Sequence, residues 1–406
     1  MPALQSVEQA IEKLLASVEP VPECETTTID KALARIAAQP YQSPINIPPE
    51  DNSAMDGFAL HTDTLKLTTT LPISARVAAG QSRTTLKPGT AARIFTGAPI
   101  PVGADTVVMQ EQCNFSDGLG ETNTVKICKI PAPSENIRAA GQDLKVGDCI
   151  VHQGTVLEPQ HIGLLAAAGI AQIATRRPLR AGVISSGDEL IKPGETIESG
   201  QIYNSNAPML EALIRKAGCE VIGVQHIPDD YRATETAFIE LAQCCDLIIS
   251  SGGVSAGDED HVKHVIAKLG EVDFHKVALK PGKPLMKGKI GTAHVLGLPG
   301  NPTSSFVTFL LFALPLLRAL QGAPAKLPQP YFEPIAFAID KPRKRREYLR
   351  VKRSPNGLVA HPNQSSGVLS SVVWGDGLAL IERDLLLQKN DLVPYYPYPV
   401  FFDIAV

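Results

Sequence analysis

From residue 178 to residue 321 the chain repeats one pattern: a short apolar run, a polar loop, then a segment with apolar residues at helical spacing. LRAGVISS, EVIGVQHI and DLIISS read as buried strands, and VDFHKVAL and HVLGL as two more. Between them NAPMLEALIRKAG, capped by Asn206 and stopped at Gly218, YRATETAFIELAQ and DHVKHVIAKLG read as amphipathic helices. Strands that are apolar on both sides need cover on both faces, and intervening helices supply it. The fold class that follows is multidomain α/β and β, built around a doubly wound, mostly parallel α/β sheet. SSFVTFLLFALPLLRAL closes the unit. Its apolar stretch, 306–317, falls short of the ~20 residues a bilayer requires, so a buried helix is predicted and no membrane span.

The flanking segments have another texture. Residues 6–18 predict a helix capped by Ser6 with Gln9 three positions later, and a second short helix is predicted over 30–36. TLPISARVAAG, ARIFTGA, DTVVMQEQ and TVKICKI alternate or are rich in β-branched residues, divided by Gly, Pro and Asp. A short strand within DCIVHQGTVL and a helix opened by Glu158-Pro159 follow. The expected division is an elongated linker domain (1–41 plus 143–176), an inserted β module (42–142), the α/β unit (177–324) and a C-terminal β domain (325–406). A hairpin is expected at Asn356-Gly357 in the last of these.

With 38 Lys+Arg against 42 Asp+Glu, the net charge of −4 argues against a general nucleic-acid binder, so any anion site must be local. The seven cysteines form no C-x-x-C pair, and the opening MPALQSVEQ has neither a basic start nor an apolar signal core. A reduced, cytoplasmic protein is expected.

Ligands on such sheets bind outside the carboxyl ends of the strands. The loops there hold Ser186-Gly187-Asp188-Glu189, then Asp229 and Asp230, then Gly252-Gly253-Val254-Ser255-Ala256-Gly257-Asp258-Glu259-Asp260. Lys280-Pro281-Gly282-Lys283-Pro284 and Pro299-Gly300-Asn301-Pro302 follow. Any one of these could be a turn or a helix cap. Together they set carboxylates, a glycine nest and lysines along one sheet edge, the composition of a phosphate-plus-metal pocket. Neither G-x-G-x-x-G nor G-x-x-x-x-G-K-[ST] occurs. Residues 253–257 match G-x-S-x-G, but a nucleophile elbow must pass directly from strand to helix, and three acids intervene here. Two more clusters lie outside the unit: Asp51-Asn52-Ser53-Ala54-Met55-Asp56-Gly57, and the run 341–353 with eight basic residues and one acid, Glu347. His261 and His264, three apart, are expected to face solvent.

DNSAMDGFA, RIFTGAPIP, SSGDEL, GQIYNSN, SSGGVSAGDEDHVK, KPGKP and GLPGNP, in that order over essentially the whole chain, resemble the MoeA/gephyrin E-domain family, the molybdopterin molybdenumtransferases. The resemblance implies a four-part subunit in an elongated homodimer. It implies molybdate insertion into adenylylated molybdopterin with Mg2+-dependent release of AMP, and contacts with other molybdenum cofactor biosynthesis proteins. Carried over by position, the family's acids correspond to Asp56, Glu189, Asp229 and Asp260, with Glu189, Asp229 and Asp260 the candidates for Mg2+. Its lysines correspond to Lys276, Lys280 and Lys283, and its loop threonine to Thr96. Gly252, Gly253, Ser255, Pro299 and Pro302 would line the cofactor site, and Arg345, Arg350 and Ser366 would complete it from the C-terminal domain. The chain departs from the family after Asn136-Ile137-Arg138, where Ala139 and Ala140 replace basic residues, and in lacking a glycine before Arg345. Other classes remain open: a non-catalytic molybdopterin-binding scaffold, and a molybdopterin adenylyltransferase built on the α/β unit alone.

Overall fold

In the computed structural model, which describes residues 4–16, 18–115, 123–253 and 261–403, the repeating pattern forms one six-stranded sheet. The strand order is Glu220–Ile227, Arg180–Ser186, Leu247–Ser251, Ala293–Leu298, Pro284–Ile290, Glu271–Lys276. The first four strands are parallel, whereas Pro284–Ile290 is antiparallel to both its neighbours. That strand is absent from the sequence reading because Lys287, Gly288 and Lys289 interrupt its apolar run. A two-residue Gly291-Thr292 turn, with Gly291 at φ 58°, reverses the chain into Ala293–Leu298. The edge strand Glu220–Ile227 leaves Ile222 and Val224 exposed, so an apolar run there marks pairing more than burial.

Tyr231–Ala242 and His261–Leu269 cover one face of the sheet, packing Phe238, Leu241, Val262 and Ile266 on Ile248, Met286 and Val295. On the other face, Asn206–Lys216 and the long run from Pro302 to Gln321 bury Leu210, Ile214, Leu310 and Leu317. The N-terminal helix Val7–Leu15, capped by Ser6 and Gln9 as expected, adds Ala10 and Leu14 to this core. The predicted buried helix over 306–317 lies inside that run. Its ladder widens to a π turn over Phe309–Ala313, just ahead of Pro315, which has no N–H to donate.

Chain segments either side of the β module meet in short antiparallel pairs, Tyr41–Gln42 with Cys149–Val151 and Cys24–Thr28 with Gln172–Arg176. Strands that leave and return side by side can accept a module between them. The helix predicted over 30–36 is only a 3-10 turn at Ile29–Lys31. Ala34, at φ 62°, turns the chain out of the helical path, and Ile36 bridges to Val156. The module itself is a six-stranded sheet with Gly57–Leu60 buried between Ala91–Ile94 and Thr106–Met109. The C-terminal sheet includes Arg346–Ser354, Gly377–Ile381, Leu392–Pro397 and Tyr331–Pro334, and the expected hairpin forms with its turn one residue earlier, at Pro355-Asn356, Gly357 already pairing with Ser354. Its first strand, Leu279–Lys280, belongs by sequence to the α/β unit and pairs in parallel with Arg346-Glu347.

His294, at the start of a central strand, is 9% exposed. Burial, reinforced by Lys289 and Lys287, pushes its imidazole from 6.5 down to about 4. Between those values the unfolded chain takes up a proton that the folded chain refuses, so stability is full above pH 6.5 and falls as pH drops toward 4. The melting temperature of His294→Gln protein should decline less over that window than that of the wild type. Equal declines in calorimetry would refute this assignment.

Candidate functional site

The chain reverses its direction of travel across the sheet between Arg180–Ser186 and Leu247–Ser251, and the crevice at their carboxyl ends opens into a cavity of 1370 Å3. Glu189, Asp229, Gly252, Gly253, Lys280, Lys283, Pro299 and Pro302 line it, as do Arg345 and Ser366 from the C-terminal domain. Ten of the residues picked from sequence thus share one cavity. Asp260 and Ser255 lie outside the described residues.

Local chemistry fixes each group. Gly187, at φ 146°, lets Glu189 fold back over it. A Cβ there would run into the Glu189 carboxylate, so any other residue would displace that acid. On the next strand end, Asp230 rather than Asp229 caps the helix, accepting the Ala233 N–H at 2.8 Å. Asp229 is anchored through its backbone N–H, which donates to Asp188 Oδ1 at 3.0 Å, so its carboxylate stays available to the cavity. Gly252 and Gly253 both take positive φ, 94° and 67°, turning the chain away from Leu247–Ser251. The next described helix starts at His261, and residues 254–260, which hold the serine of the G-x-S-x-G match, lie outside the described residues.

Asn206 does not cap its helix as expected. The Ala207 N–H is taken by Asn204 Oδ1 at 3.1 Å, and Asn206 Nδ2 instead donates to Ser251 Oγ at 2.8 Å and to the Gly300 carbonyl at 2.6 Å. It thereby ties together three strand-end loops, a role periodicity could not reveal. His261 is the other correction. It lines the cavity, edge-on to Tyr231 at 6.2 Å between ring centroids, while His264 is exposed as expected. A histidine directly after the Asp-Glu-Asp run at a helix start was the available signal.

The cationic wall is built from two segments. Lys280 Nζ sits 2.9 Å from Glu347 Oε1, and Arg345 Nη1 donates to the Leu279 carbonyl at 3.1 Å. The basic run 341–353 therefore divides: Arg345 faces the cavity, while Arg346 pairs with Glu8 and with Glu382, and Arg353 with Glu333.

Four of the predicted site residues stand apart. Arg350 is 1% exposed and lies behind the lining, with Nε donating to Ser371 Oγ at 3.0 Å and Nη2 to the Ser365 carbonyl at 3.1 Å. Lys276 ends the Glu271–Lys276 strand outside the lining. Asp56 and Thr96 sit together, exposed on the β module. Asp56 Oδ1 accepts the Thr96 N–H at 2.7 Å and the Thr96 hydroxyl at 2.8 Å, and these bonds hold its carboxyl below the ordinary range. Arg93 braces the same turn by donating to the Gly57 carbonyl at 3.1 Å, its guanidinium resting against Phe58, Phe95 and Phe115.

Glutamate and aspartate offer hard oxygen donors, and Mg2+ is typically held by one or two carboxylates plus phosphate and water. Glu189 and Asp229 supply two such donors to the same cavity lining as Lys280 and Lys283, and among the described residues no group of three or more His, Cys, Asp or Glu gathers to hold a metal ion.

Comparison with known proteins is consistent along the chain. Residues 5–169 match the family model described as MoeA N-terminal region (domain I and II). Residues 182–319 match a probable molybdopterin binding domain, and 334–398 the MoeA C-terminal region (domain IV). A molybdopterin molybdenumtransferase of Haemophilus influenzae is 42% identical over 332 residues, covering 82% of this chain and 81% of that protein. Molybdopterin molybdenumtransferase 2 of Mycobacterium tuberculosis is 32% identical over 404 residues, covering 95% and 96%. A crystal structure of the molybdopterin biosynthesis MoeA protein from Pyrococcus horikoshii superposes with a TM-score of 0.84 at 25% identity, covering 98% of this chain and 100% of that one.

Proposed function

This chain belongs to the MoeA family, the molybdopterin molybdenumtransferases of molybdenum cofactor biosynthesis, and on that premise we propose that its strand-end cavity binds adenylylated molybdopterin, accepts molybdate and releases AMP. The observation that carries this reading is the shared cavity: acids Glu189 and Asp229, lysines Lys280 and Lys283 and the Gly252-Gly253 turn all line it. The phosphates lie along Gly252-Gly253 and the Lys280–Lys283 loop, where backbone N–H groups and ammonium charges meet the oxyanions. Glu189 and Asp229 would hold Mg2+, which would neutralise charge on the pyrophosphate; Asp260, the third expected ligand, lies outside the described residues. Lys280 and Lys283 stabilise the charge that develops on the departing AMP phosphate. Molybdate rests against Ser366, on a loop that Arg350 holds from behind, with Arg345 in the same lining. The functional protein is a homodimer in the cytoplasm, and its cavity is completed by Asp56 and Thr96 of a second subunit. The expected four-part division, with 42–142 inserted between 1–41 and 143–176, fits this arrangement because it carries Asp56 away from its own cavity. Hand-over from other cofactor biosynthesis proteins uses the open cavity mouth.

The test is AMP release from adenylylated molybdopterin with Mg2+ and molybdate, read by chromatography. Asp229→Asn is expected to slow release by roughly 100-fold, the scale of losing one electrostatic stabiliser. A wild-type rate in that variant, or consumption of ATP by the wild type in the same assay, would refute the reading.

A further inference from the structure

We infer that Glu347 is a positioning residue for the cavity lysine Lys280, so that the C-terminal domain sets where this ammonium stands. Glu347 is the lone acid in the basic run 341–353. Its backbone is in register with Lys280 across the parallel pair that joins the α/β unit to the C-terminal sheet. The two side chains leave neighbouring strands at matched positions and meet at 2.9 Å.

Their exposures differ in a way that assigns the roles. The Glu347 side chain is 8% exposed and that of Lys280 is 44% exposed. A buried carboxylate is held in place by its surroundings, with Arg343 Nε 3.5 Å from its second oxygen. A half-exposed lysine, by contrast, has four freely rotating stem bonds and would otherwise sweep through solvent. The carboxylate therefore fixes the lysine, not the reverse. An ammonium has three donors and Glu347 takes one, leaving the others for an oxyanion. Arg345 strengthens the arrangement by holding the Leu279 carbonyl, one residue before Lys280. A single carboxylate among eight basic residues thus orients a cation for the substrate at the cost of one charge.

The rate consequence rests on the reaction proposed above; the geometric one does not, and the experiment separates them. Glu347→Gln preserves shape and the backbone pairing while removing the charge. Acetylation of full-length protein by acetic anhydride, followed by peptide mass spectrometry, gives the labelling rate of Lys280 relative to Lys283. In Glu347→Gln that ratio should rise several-fold, with the melting temperature little changed, and Glu347→Asp should return it part of the way. In the AMP-release assay, kcat of Glu347→Gln should fall by about tenfold or more with a smaller change in KM, the size of effect a misplaced group produces. An unchanged labelling ratio, or wild-type kcat in Glu347→Gln, would overturn the inference. A wild type that releases no AMP would instead overturn the proposed reaction, and the labelling ratio would still decide the role of Glu347.

Discussion

Asp56→Asn protein and Asp229→Asn protein, each slowed about 100-fold when alone, are expected to regain Mg2+-dependent AMP release when unfolded together and refolded as a mixture. Asp229 lines the cavity of its own chain, whereas Asp56 stands exposed on the β module, outside that lining. If each working site draws Asp229 from one subunit and Asp56 from the other, a mixed dimer has one intact site and one doubly defective site. Random pairing makes half the dimers mixed, so about a quarter of the wild-type rate should return. If both acids served from the same chain, every site in the mixture would lack one of them and the rate would stay at that of the variants alone. The readout is AMP formed over time against each variant alone, and failure to recover would remove the shared-site proposal while leaving Asp229 in its cavity.

Gly57→Ala should destabilise the β module severely, by about 3 kcal/mol or more, the range reserved for overpacked cores and strained backbone. Gly57 pairs with Met109 on one side and Ile94 on the other, and a Cβ there would overlap the Val108 carbonyl oxygen of the adjoining strand. Neither backbone can yield without breaking the ladder that joins Gly57–Leu60 to the edge strand Thr106–Met109. Because Arg93 holds the Gly57 carbonyl and Thr96 holds Asp56, the same strain would displace the acid next door. Hydrogen exchange should show lost protection over 57–60 and 106–109 while the α/β strands keep theirs, together with loss of AMP release. Unchanged protection and activity would contradict the steric account. The conformation gives a reason for glycine at the end of DNSAMDG: a neighbouring strand occupies the space a side chain would need.

Much of the architecture was legible because its signals are local. The apolar runs at 180–186 and 247–251 announce buried strands, Ser6 and Gln9 announce a helix start, and Asn356-Gly357 announces a hairpin. Each signal rests on a few adjacent residues and a backbone preference. The antiparallel strand Pro284–Ile290 escaped because Lys287, Gly288 and Lys289 mask the pattern. The helix expected over 30–36 failed because Ala34 adopts a conformation that composition does not disclose. For the site, the strand-end rule located the cavity and most of its polar lining, but His261 and Asn206 were assigned to solvent and to capping.

Sequence alone determined the parallel strands and covering helices of the α/β unit, and hence which loops emerge at the carboxyl edge of the sheet, since period and turn chemistry act over a few residues. Tertiary structure decided which distant groups meet. Glu347 reaches Lys280 across 67 residues, Arg350 retreats behind the Gln364–Ser366 loop, and Asp56 is carried away from the cavity on its own module. Those outcomes follow from how the sheets close on one another and bury their faces. Strand pairing and core packing act between segments remote along the chain, so no local window of residues contains them.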